Sequence, residues 1–273
     1  MNYLNRREER NKAAKKIKQL FERKKDLVVI HYSCESFFDR VDGTSPRITS
    51  IAVLRPYTRQ ARSFSIHQMS EINEIPMERL STHYDDVEKQ MLDAFYQFVS
   101  MNGSRYWVHW NMRDSNYGFE AIAHRYRVLG GQPVTIDEDR LFDFSYLLKL
   151  KYGRTYIGKP NLKQLMDRND ISSSTFMLGA AEAIAFEKQE YVKLHQSTLR
   201  KVNVIHELLE LEWYDDLQTD ASWIETYGYD VGFWIDRIMA HWLFKLVVVI
   251  LVGFVLAVAG FALDVIDFFS SIP

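Results

Sequence analysis

The chain has 273 residues, 47% of them hydrophobic and 26% charged, with a formal net charge of -2. This composition excludes a disordered chain, and the length fits one sizeable domain plus an appendage. Cys34 is the only cysteine, which excludes an intrachain disulfide and a Cys-rich metal site and fits a reducing compartment.

In chain order, residues 1–25 come first: ten Lys/Arg against three Glu leave +7 there and -9 on the remainder. Ala13, Ala14, Ile17, Leu20 and Phe21 fall on one stripe of residues 12–25, predicting a basic amphipathic helix. Anionic lipid, nucleic acid or the flank of the domain itself are its candidate partners. No apolar signal-peptide core precedes it, so the main domain is expected to stay on the inner side of the membrane. Residues 27–32 (LVVIHY), 48–54 (ITSIAVL), 61–66 and 106–110 (YWVHW) predict strands by their β-branched and aromatic runs. Helical spacing predicts helices over 85–99 and 119–129, the latter stopped by Gly130-Gly131. Residues 142–150, 162–168, 176–189 and 190–211 complete a helix-rich second half, and the order of elements is α/β.

Residues 246–263 carry 18 residues without a charge. At ~1.5 Å per residue they cover ~27 Å, close to the ~30 Å hydrocarbon core. Taken from Leu243 to Leu263, with Lys245 at the interface, they predict one transmembrane helix. Arg237, His241 and Lys245 precede it and Asp264 and Asp267 follow. The positive-inside rule therefore predicts an N-terminal domain in the cytoplasm and a short tail, 264–273, beyond the inner membrane. Residues 216–242 are rich in Trp, Tyr and Phe but too charged to span, and suit an interfacial segment. Gly253, Ala257 and Gly260 put small residues near one face, as in helices that pair into homo-oligomers.

HYSCESF (31–37) follows the first strand, VHWNMRD (108–114) opens a helix, LFDFSYLL (141–148) follows, and NLKQLMDRNDI (161–171) precedes a helix with LHQSTLRKV (194–202). In this order the motifs of residues 26–215 resemble the DEDD exonuclease branch of the ribonuclease H-like superfamily. The resemblance implies a mixed sheet flanked by helices. It also implies four carboxylates holding two Mg²⁺ ions that activate water at a phosphodiester. Glu35 falls at the family's Glu, but Ser33 stands at its first Asp. His109 and Asp114 match the second motif, with Asn111 displaced. His195 fits the general-base position, while Arg200 stands where the last Asp is expected. A hydroxyl and a guanidinium are poor stand-ins for metal ligands. Glu35 and Asp114 are the candidate metal ligands, with His195 beside them if the domain is active. Glu187 or Glu190 could substitute for a missing ligand. Ser33, Glu35, His109, Asp114 and Arg200 otherwise form a ligand-binding set, Arg200 suiting phosphate. As plainer readings, Glu35 and Asp114 also fit caps, His109 a satisfied core histidine, and His195 a surface helix position. Cys34 with His31 completes no nucleophilic triad. GRTYIGK (153–159) is followed by Pro160 and lacks the spacing of a phosphate loop.

A degenerate nuclease-like domain in front of one membrane helix is similar in architecture to membrane effectors of bacterial antiphage systems, including those beside retron reverse transcriptases. That implies a sensor-effector: the domain binds a nucleic acid or a nucleoprotein such as a reverse transcriptase complex, and the helix disrupts the bilayer, halting the infected cell. The alternative expectation is a membrane-tethered, Mg²⁺-dependent 3′–5′ exonuclease. A plain anchor for a soluble partner is the third.

Overall fold

The computed structural model describes residues 3–35, 45–113 and 117–222, together with Thr226, Leu246, Ile250 and Leu251. The chain divides into two units, Met1–Thr226 and Tyr227–Pro273. Of the expected span, only Leu246, Ile250 and Leu251 are described, all helical and exposed. The rest of it, the interfacial segment and Gly253, Ala257 and Gly260 lie outside the described residues. Among the described residues no helix is long and apolar enough to cross a membrane.

The first unit is built on five strands: β1 (Leu27–Cys34), β2 (Ile48–Arg55), β3 (Gln60–Ser65), β4 (Tyr106–His109) and β5 (Leu141–Asp143). Their order across the sheet is β3-β2-β1-β4-β5. β2 runs antiparallel to both neighbours, whereas β1, β4 and β5 are parallel. This mixed sheet, flanked by helices, is consistent with a ribonuclease H-like fold. β1 is central and buried along nearly its whole length, as expected for a strand covered on both faces.

Alternation along β1 splits the core. Leu27 and Val29 face a layer made by α1 (Tyr3–Glu22), α5 (Phe144–Tyr152) and α8 (Tyr191–Trp213). Val28, Ile30 and Tyr32 face α3 (Leu80–Asn102) and α4 (Phe119–Val128). A period of two puts successive side chains on opposite faces, so one strand serves both layers. The basic helix extends over Tyr3–Glu22 and turns Ala13, Ile17 and Leu20 into the core. Lys12, Lys15 and Lys18 stay exposed.

Among the described residues, the unit also has the short α-helices α2 (Ile66–Ile72), α6 (Asn161–Arg168) and α7 (Gly179–Glu187). Two of the expectations need correction. The run at 142–150 begins as a strand: Leu141–Asp143 pairs with β4, and the helix starts only at Phe144. Asp143 makes the boundary, its carboxylate capping α5 by accepting from Tyr146 N, which satisfies a free helix-end donor. Ile66 does not end β3 but opens α2.

Candidate functional site

The face of β1 that carries Leu27 and Val29 turns polar at its end, where His31 and Ser33 follow by alternation. Across the ladder, Val29, His31 and Ser33 pair with Leu54, Ala52 and Ser50. Helix α8 mirrors this change. Val202, Ile205, Leu208 and Leu209 join the apolar core, while Ser197, Thr198 and Lys201, nearer its start, are buried polar residues.

The two polar ends meet. Thr198 Oγ1 lies 2.8 Å from Ser33 Oγ and 2.6 Å from Ser50 Oγ. Ser33 Oγ also donates to Glu182 Oε1 at 3.2 Å, and Ser197 Oγ donates to the same oxygen at 2.8 Å. The other Glu182 oxygen pairs with Lys201 Nζ at 2.6 Å, both side chains being over nine-tenths buried. Glu182 reaches this centre from α7, a short helix laid against α8. Its carboxylate thus receives an ammonium and two hydroxyls, the donor set that an anion requires when removed from water. His31 borders the centre. Burial and then the Lys201 charge hold its pKa well below the usual histidine range, and Tyr117 Oη lies 3.4 Å from its Nε2.

The candidate residues separate into different places. Ser33 belongs to this centre, but His109 does not. In the parallel ladder His109 pairs with Ile30, and Ile30 faces the α3/α4 layer; His109 therefore sits across the sheet from Ser33. Its Nδ1 accepts from Met112 N at 3.2 Å, and burial lowers its pKa to about 4. Beside it Asp143, its partner across β4 and β5, pairs with Arg113 Nε and accepts from Asn111 N at 3.2 Å. Glu35 stands at the end of β1, bonded in both directions to the Arg47 backbone at 2.8 and 3.3 Å. Asp114 lies outside the described residues.

His195 is buried, not a surface residue, and its ring centroid is 4.9 Å from that of His67 on α2. Among the described residues, His195 Nε2 and His67 Nδ1 are enclosed without a hydrogen-bond partner. Burial, then the neighbouring imidazole, lowers the His195 pKa to about 4. Arg200 binds Ser172 O at 2.6 Å through Nη2 and Glu207 at 2.8 Å through Nη1. The cation of the centre is its neighbour Lys201.

Two Mg²⁺ ions do not fit the described part of this site. Oxygen-rich, carboxylate-dominated coordination is what Mg²⁺ demands, and here hydroxyls and an ammonium surround the one carboxylate, Glu182. Among the described residues no group of three His, Cys, Asp or Glu could hold a metal ion. Thr198, Glu182 and Lys201 were not legible as site residues beforehand. The available signal was the run Ser197-Thr198-Lys201 on the face of α8 that carries Leu194, Val202 and Ile205 into the interior. In comparisons with protein-family models, curated proteins and solved structures, nothing matches this chain.

Proposed function

We propose that the chain is a membrane-held sensor-effector whose ribonuclease H-like domain binds and regulates rather than cleaves. One observation carries this reading: at the end of β1, where the resemblance would place metal carboxylates, the Glu182–Lys201 pair and the Ser33, Ser50 and Thr198 hydroxyls satisfy one another. An ammonium 2.6 Å from the central carboxylate opposes a divalent cation by direct repulsion. The uncharged run from 246 to 263 supports placement in the inner membrane with the domain in the cytoplasm. Its small residues support self-association. In this reading the run is the output, as in membrane effectors of antiphage systems, and the domain in front of it, engaging nucleic acid or a nucleoprotein, is the switch.

The test has two arms on the full-length chain. Purified in detergent with millimolar Mg²⁺ or Mn²⁺, it is expected to release no nucleotide from labelled single-stranded DNA or RNA. Release that disappears in Glu35→Gln would replace this reading by the tethered exonuclease. In cells, induction with the genomic neighbours and phage is expected to collapse the membrane potential. Unchanged polarisation in every combination, with protection against phage retained, would remove the membrane-damage step.

A further inference from the structure

At the sheet edge formed by β5, the first unit holds a pocket of about 510 Å³, lined from α3 and α4 and also by Lys16 of α1 and Tyr146 and Leu147 of α5, within the ~300–1,000 Å³ usual for small-ligand sites. None of Ser33, Thr198, Glu182 and Lys201 lines it. Its wall is apolar and partly aromatic, with Tyr96, Phe119, Ile122 and Ile136, together with Pro133 and Val134. Set into that wall is His109, 2% exposed. Because Met112 N–H donates to its Nδ1 and burial keeps the ring neutral, the ring proton sits on Nε2. That N–H has no hydrogen-bond partner among the described residues, and His109 lines the pocket. A donor on a side chain this little exposed, in a pocket wall, is a place for a ligand acceptor.

The rim has the opposite character. Lys16 of α1, Arg113 after β4 and Arg127 of α4 reach it from three elements. The two Arg side chains are about half exposed and each is steadied by one carboxylate, Arg113 by Asp143 and Arg127 by Glu120. A guanidinium carries five N–H groups, so each retains donors beyond its ion pair. Lys16 is exposed. The pocket is thus apolar and partly aromatic inside, with one buried histidine, and its charged lining sets Lys16, Arg113 and Arg127 among Glu120, Glu138 and Asp143.

We propose that this pocket binds a mononucleotide, the base entering against Phe119 and Tyr96 and the phosphate resting among Lys16, Arg113 and Arg127. A flat heteroaromatic ring matches aromatic walls by stacking and offers ring nitrogen or carbonyl acceptors to His109 Nε2–H, which an acyl chain lacks. A phosphate suits guanidinium groups at the mouth. The assignment goes beyond the binding-and-regulation reading: it concerns residues other than the Ser33–Glu182–Thr198–Lys201 centre and stands whether or not the C-terminal run damages membranes.

Isothermal titration of the full-length chain in detergent with AMP, GMP, CMP and UMP, with the matching nucleosides, and with inorganic tripolyphosphate tests it. Saturable binding of at least one monophosphate is expected, tighter than its nucleoside and not reproduced by tripolyphosphate. His109→Phe keeps an apolar ring but removes the donor and is expected to weaken binding about tenfold. Arg113→Gln is expected to weaken the monophosphate but not the nucleoside, and Ala123→Trp, which fills the pocket from α4, to abolish both. If His109→Phe fails to melt cooperatively, Arg113→Gln on the exposed rim decides. No saturable binding up to millimolar ligand would overturn the proposal. So would tripolyphosphate binding as tightly as the nucleotide, or unchanged affinity in Arg113→Gln and Ala123→Trp.

Discussion

At the scale of single residues, the chain keeps charge in places where water is excluded, and each such group has a measurable consequence. Lys201 and Glu182 are buried together. Removing one partner strands the other charge, whereas replacing both with apolar groups of similar volume is often near neutral. Glu182→Ala is therefore expected to lower unfolding free energy by about 3–5 kcal/mol in urea titrations, and Glu182→Leu with Lys201→Met to recover most of it. A loss below about 1 kcal/mol in the single variant would show that the pair does not hold α7 in place. His195 gives a second test. Its folded pKa is about 4 against ~6.5 for an unfolded histidine. Between those values the unfolded chain binds more protons, so this contribution is complete above pH 6.5 and is lost as pH falls toward 4. Glu88 slopes the other way: burial raises its pKa to about 7 despite its bonds to Arg125, so its contribution is lost as pH rises through 7. The comparison between wild type and His195→Phe cancels Glu88. Between pH 7.5 and 5 the wild type is expected to lose about 2 kcal/mol more than the variant. Parallel pH profiles would mean that the His195 pKa is the same in the folded and unfolded chains.

At the scale of elements, α8 brings Ser197, Thr198 and Lys201 to the polar end of β1 and β2, where Thr198 meets Ser33 and Ser50, and this is what places the candidate site. Its Val202, Ile205, Leu208 and Leu209 join Leu27, Val29 and Leu54 in the apolar core. Helix α1 is simpler: its apolar stripe, Ala13, Ile17 and Leu20, is consumed by the domain, leaving a solvated basic face. Ile17→Ala is expected to cost about 2–5 kcal/mol. Lys15→Gln and Lys18→Gln are expected to change stability by less than about 0.5 kcal/mol in the same denaturation series. A large effect of the lysines would point to a structural role for the charged face. These elements also show what could be read in advance. β1, β2 and β4 were legible because β-branched and aromatic runs bounded by turns leave few alternatives. β5 was not, since three residues that run on into the apolar start of α5 carry no period of their own, and only pairing with β4 makes them a strand. Ser33 was legible as a motif position. Its partner Glu182, 149 residues away, lies in an alanine-rich segment, GAAEAIAFE, that gives no sign of a site until α7 folds onto α8. The parity of β1 and β4, together with their register, separates Ser33 from His109, and register is a tertiary fact that spacing alone does not contain.

At the scale of the whole molecule, the chain divides at Thr226. Among the described residues, the members of the three hydrophobic clusters precede Ser222; Ala221, partly buried, is the last of them. A chain ended at Ser222 therefore keeps the described members of those clusters, whereas the full chain adds 18 consecutive uncharged residues, 246–263. Transfer of such a run into hydrocarbon is favourable at most positions, by about 0.3–0.6 kcal/mol for each central Leu, Ile, Phe or Val. Leaving it in water exposes a continuous apolar surface instead. Two outcomes are expected from expression of both forms. The full chain stays in the membrane fraction after an alkaline carbonate wash and leaves it only with detergent. The shortened chain is recovered without detergent, with a cooperative melt and the same sensitivity to Glu182→Ala as the full chain. Recovery of the full chain from the supernatant before any detergent would remove the bilayer from the proposed function. Loss of cooperative melting on truncation would instead show that residues beyond Ser222 complete the fold.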